Sequence, residues 1–109
     1  MSKLKIVEKK ISKWADAFLS RATAIMLKRM RDEANGNNDL QTLEMHTSDL
    51  ATIMHVCYLI KHGDYVNAYE MQRDMDTEPR DLFPNRLVNA LETMAYSDEY
   101  NLCCTISIA

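Results

Sequence analysis

The residues of this chain best suited to chemistry are three histidines, three cysteines and a run of acids between Asp74 and Asp81. The stretch HVCYLIKHGDYVNAYEMQ, residues 55–72, holds His55, Cys57 and His62. On a helix, His55 and Cys57 stand two residues apart and do not face each other. His55 and His62 share a face, but seven residues separate them by roughly 10.5 Å along the axis. One zinc ion with ligands at about 2.0–2.1 Å cannot take both. His46 lies further back still, so no metal site and no cofactor are expected. Cys57 sits in an apolar run, where a thiol packs rather than reacts. Cys103 and Cys104 are adjacent, and an odd cysteine count is not a disulfide framework. A reducing, cytoplasmic compartment is expected.

Asp74, Asp76, Glu78 and Asp81 resemble the opening of a calcium loop in their spacing. The turn glycine of such a loop is replaced by Pro79, and its twelfth position is Asn85 rather than glutamate. With Arg73 and Arg80 interleaved, the segment reads as a solvated loop, or as an acidic docking surface for a basic partner. No phosphate-cradling glycine loop and no Gly-x-Ser-x-Gly elbow occurs. The expectation is a protein without catalytic residues.

The elements that position these residues are helices. Two glycines and two prolines in 109 residues are too few for the many tight turns of a β-protein. Leu4, Val7, Ile11, Trp14 and Phe18 recur at steps of three and four, an apolar stripe that Ala22, Ile25, Met26 and Met30 continue. NGNND, residues 35–39, ends that helix, the Asn-Gly pair supplying positive φ. A second helix begins at Asp39 or at the Thr47-Ser48-Asp49 cap. It is apolar on nearly all sides, as expected of the central buried element. Gly63-Asp64 is the corner to a third helix, and Pro84 opens a fourth. The expected fold is all-α: a compact four-helix domain spanning 1–109, with helices at about 3–34, 39–62, 65–75 and 84–96. The C-terminal tail, with CCTISI, is poorly ordered or a short extended strand. The expected core is Val7, Ile11, Trp14, Phe18, Leu50, Ile53, Met54, Cys57, Ile60, Tyr69, Leu87, Leu91 and Met94.

A first helix over 3–34 is roughly 48 Å long, whereas a compact chain of this size has a radius of gyration of about 13 Å. Either the helix kinks near Ser20–Arg21, or its stripe (Leu4, Val7, Ile11, Trp14, Phe18) is buried against a second copy. A homodimer along that stripe is the expected state.

Charge is divided along the chain. Residues 1–31 carry nine basic groups against Glu8 and Asp16, a balance of +7, and residues 32–109 carry four against fourteen, a balance of −10. The basic groups Lys9, Lys10, Lys13, Lys28, Arg29 and Arg31 lie off the apolar stripe. They serve a partner, bind phosphates, or pack against the chain's own acidic body, which is the expected arrangement. No stretch has the roughly 18–20 apolar residues of a membrane span, and no secretory signal is evident.

GDYVNA, with Gly63, Asp64, Tyr65 and Ala68, resembles the hairpin corner of a tetratricopeptide repeat. One repeat length of about 34 residues to either side lie Arg29 and Ser97, so no second copy appears. The resemblance implies a packed antiparallel helix pair, not peptide binding. The chain as a whole, with MDTEPRDLFPNRL at 75–87, resembles small accessory proteins of bacteriophages. That resemblance implies a protein that binds and modulates or inhibits a host enzyme, in the host cytoplasm. Together these features point to a non-enzymatic protein-binding protein, with nucleic-acid binding through the basic first helix as the alternative.

Overall fold

The computed structural model describes residues 3–96, and the tail with Cys103, Cys104 and the expected strand lies outside the described residues. Five helices follow one another: α1 (Lys3–Asn35), α2 (Leu40–Lys61), α3 (Tyr65–Arg73), α4 (Thr77–Arg80) and α5 (Asn85–Tyr96). The fold is all-α with a long N-terminal helix, and the described residues form no strand. The helix beyond the four expected is α4, the single turn Thr77–Glu78-Pro79-Arg80, in the segment expected to be a plain connector.

The element ends follow local chemistry. Asp39 caps α2, its carboxylate accepting from the Gln41 N–H at 3.1 Å and from the Thr42 hydroxyl at 2.9 Å. Thr47, Ser48 and Asp49 therefore lie inside α2 and not at its start. In the preceding loop the positive φ of 51° belongs to Asn38, not to the Asn-Gly pair. Gly63 does turn left-handed, at φ 78°, and Asp64 then caps α3 through Asn67.

α1 runs unbroken through Ser20–Arg21. The molecule measures 51 × 22 × 20 Å, so its long dimension matches a 33-residue helix at 1.5 Å per residue. The mismatch expected from a compact shape disappears because the rest of the chain lies along the helix. α2 runs back antiparallel to α1: Lys61 pairs with Asp16 at 2.9 Å, and the Cys57 thiol donates to the Ala15 carbonyl at 3.8 Å. α3 and α5 close the bundle on the far side. Tyr69 reaches Glu92 and Tyr96 reaches Glu70, and the Tyr69 and Tyr96 rings meet edge-on at 5.6 Å.

The buried stripe of α1 is Val7, Ile11, Ala15, Phe18, Ala22 and Met26, facing Ile53, Val56, Cys57 and Ile60 of α2 and Leu87, Ala90 and Leu91 of α5. Phe18 also packs on Phe83, with ring centroids 4.4 Å apart. Burial of this apolar surface, at about 25 cal/mol per Å², is the main source of stability. The exposed ion pairs each contribute about 0–1 kcal/mol.

Two expectations are corrected by this packing. Val7, Ile11 and Phe18 are covered by the chain's own helices, and Leu4 and Trp14 are half-buried. The stripe is therefore not free to join a second copy. Nor is α2 buried all round. Met54, expected in the core, is 52% exposed, and Leu40 and Tyr58 share its outward side. Leu50, Tyr69 and Met94 are half-buried at the core margin.

Candidate functional site: the basic face of α1

With its apolar stripe turned inward, α1 presents the opposite side to solvent. Lys5, Lys9, Lys13, Arg21, Lys28 and Arg31 are all exposed there. Their spacing by threes, fours and sevens or eights keeps them on one broad side of the helix. Lys10 and Arg29 are half-buried. The expectation that the basic helix packs on the acidic body is met at Arg29, beside Glu78, and not at every basic group. Lys61 reaches across to Asp16, and Arg29 lies 3.6 Å from Glu78. Lys28 pairs within the helix with Asp32 at 2.7 Å. Lys9, Lys13 and Arg31 make no ion pair with any described residue. The face therefore carries three cations that no described acid neutralises by an ion pair.

Beside this face lies a cavity of about 230 Å³ lined by Trp14, Ala17, Phe18, Arg21, Pro84, Arg86 and Leu87. The Arg86 guanidinium lies 3.8 Å from the centre of the Trp14 ring, and that of Arg21 5.9 Å from the Phe18 ring. Arg86 was not among the expected site residues. Its signal is tertiary, because only the packing of α5 on α1 brings it to Trp14.

The acidic run is divided by the fold. Asp74 and Asp76 line an open groove between α2 and α3 with Asp49, His55 and Glu70. Partial burial raises the Asp49 carboxyl above its ordinary range, and the Asp76 carboxylate adds to the effect. Glu78 turns to Arg29, and Asp81 lines a separate groove with Arg73 and Arg80. Asp74 is also paired with Arg73 at 3.2 Å. The four acids thus do not form one docking surface.

The histidines are separate as well. His62 lies with its Nδ1 2.9 Å from the Tyr58 carbonyl and stacks on the Tyr58 ring at 4.0 Å. His55 faces the α2–α3 groove. No three His, Cys, Asp or Glu side chains among the described residues come together to hold a metal ion. No helix among the described residues is long and apolar enough to cross a membrane.

Burial pushes the Cys57 thiol up to about 11, with the Asp16 carboxylate adding to it and Lys61 opposing it. Because the folded value is raised above 9.0, the unfolded chain loses this proton first. The associated stability is complete below pH 9.0 and is lost as pH rises toward about 11. Tyr65, raised to about 12 by burial and then by Glu8, acts in the same direction. Denaturant unfolding across that alkaline window is expected to show falling stability, with a shallower fall in Cys57→Ala. An identical pH slope in the variant would show that the thiol is not buried as described. Below pH 9.0 native Cys57 should resist iodoacetamide until the protein is unfolded.

Comparison with known proteins finds no family model, no curated protein and no solved structure that matches this chain.

Proposed function

We propose that this is a non-enzymatic binding protein that uses the outward face of α1 to occupy an acidic surface of another protein, and so modulates or inhibits it. The observation that carries this reading is a 33-residue helix whose solvent side bears Lys9, Lys13 and Arg31 without ion-pair partners among the described residues. Exposed cations unneutralised by the fold steer association with anionic partners. The resemblance to small bacteriophage accessory proteins makes a host enzyme in the cytoplasm the natural target.

The same cations favour a second reading, in which the face binds nucleic-acid phosphates. Two features weigh toward protein. The chain as a whole is acidic, at net −3, and would be repelled by a polyanion outside this face. The basic side is also interrupted by Asp16, Ala17, Ala24 and Leu27, which suits a mixed protein surface better than a continuous phosphate track.

Affinity capture from a bacterial lysate, with and without nuclease, separates the two. The expected result is a stoichiometric, nuclease-resistant protein partner released by salt. Loss of every partner on nuclease treatment, with a steep salt-dependent gel shift, would refute the protein reading. In that case each phosphate contact steepens the log–log salt dependence by about 0.7–0.9.

A further inference from the structure

We infer that the cavity lined by Trp14 and Arg86 is the anchor point of the α1 face, and that it receives one apolar side chain flanked by carboxylates on an acidic partner segment. This rests on the reading of α1 as a surface for an acidic protein and names the chemistry of its recognition. Its lining is mostly apolar and aromatic, from Trp14, Ala17, Phe18, Pro84 and Leu87, together with two exposed arginines, Arg21 and Arg86.

The state of those arginines is the central observation. Each lies against an aromatic ring, Arg86 at 3.8 Å from Trp14 and Arg21 at 5.9 Å from Phe18. Neither forms an ion pair with a described residue. At 3.8 Å the Arg86 guanidinium is in contact with the ring and held by it, whereas Arg21 at 5.9 Å is at the outer reach of such an attraction, and both keep N–H groups for a partner. Those groups match a carboxylate with two parallel hydrogen bonds. An apolar side chain seated beside two such forks excludes water from the charged contacts around it. Trp and Arg, once a partner encloses them, are residue types in which binding free energy concentrates. A lysine-rich segment would meet like charge at both arginines, and a polyphosphate would leave the apolar lining uncovered.

Trp14 is the only tryptophan of the chain, so its indole N–H resonance reports the site directly. The probe is the peptide acetyl-Asp-Glu-Phe-Asp-Glu-amide, titrated into the full chain. The expected result is a saturable shift of that resonance, half-complete at millimolar concentration or below. Arg21→Ala and Arg86→Ala should each weaken binding at least about tenfold. Arg86→Lys should recover little, since lysine keeps the charge but lacks the flat fork. Ala17→Leu, which fills the cavity and leaves both arginines, should also abolish the shift. Thermal melts of these surface variants establish that they are folded.

No shift, or equal binding of peptides with Ser in place of Phe or with Lys in place of the acids, would overturn the inference. So would tighter binding of oligothymidylate at Trp14. If the peptide fails while partner capture still depends on Lys9, Lys13 and Arg31, the anchor is wrong and the acidic-partner reading stands. If the peptide seats at Trp14 but capture returns only nucleic acid, the anchor stands without that reading.

Discussion

Phe18→Ala is expected to lower the unfolding free energy by about 3–5 kcal/mol, a large part of the roughly 5–15 kcal/mol available to a small protein. Phe18 is 1% exposed and lies midway along α1. Its ring meets Phe83 at 4.4 Å, which ties the segment before α5 to the first helix. Such an aromatic pair adds about 0.5–1.5 kcal/mol beyond the area it buries. The neighbours on the same stripe are Ala15 and Ala22, both fully buried. Their methyl groups cannot reach into the space that Phe18 would leave, so the cavity stays open and the cost falls toward the upper end of the range. Phe18→Leu should retain most of the stability. Guanidinium unfolding followed by circular dichroism measures both. A loss under about 1 kcal/mol in Phe18→Ala would mean that the ring is not in the core.

Reversing the charge of Lys9, Lys13 and Arg31 together to glutamate should have the opposite profile. All three side chains are exposed and unpaired with described residues, so stability should move by no more than about 0.5 kcal/mol per site. Binding to the captured acidic partner should fall by about a hundredfold or more. Placing like charges across an interface costs several kcal/mol, and every 1.4 kcal/mol is a factor of ten. The wild-type affinity itself should weaken with added salt, because exposed charges are screened within about 8–10 Å at physiological ionic strength. Affinity within about twofold of wild type, measured by calorimetry, would move the binding surface away from α1.

Reversal at Lys28 or Arg29 is a weaker test. Lys28 is already paired with Asp32 and Arg29 lies near Glu78, so changing them perturbs contacts within the chain as well.

The elements of this fold were legible where the signal is local. The steps of three and four from Leu4 to Phe18 follow from the 3.6-residue turn of the helix, and α1 observes them from Lys3 to Asn35. Asp39, Gly63-Asp64 and Pro84 mark element ends because capping and φ are decided within a few residues. The single turn Thr77–Arg80 was missed. Four residues carry no periodicity, and its Asp76 makes no side-chain cap bond.

The buried side of α2 could not be read from a helix that is apolar nearly all round. Burial of apolar surface is favourable in any direction, so only the positions of α1 and α3 select Ile53, Val56, Cys57 and Ile60 and leave Met54 and Tyr58 in solvent. The basic groups were placed off the stripe by helical spacing alone. That Lys9, Lys13 and Arg31 face solvent depends on α2 and α5 occupying the opposite side of α1.

The anchor cavity belongs wholly to the tertiary structure. Trp14 and Arg86 lie far apart in the chain, and no periodicity relates them. Helical spacing is written in hydrogen bonds between residues four apart, whereas the meeting of a guanidinium and a ring across two helices depends on the register in which they pack. The chain by itself determined that Trp14 would lie on the apolar stripe of a long helix, though that pattern placed the ring in the core, where the structure leaves it half-buried. The packing of α5 decided that Arg86 would lie 3.8 Å above it.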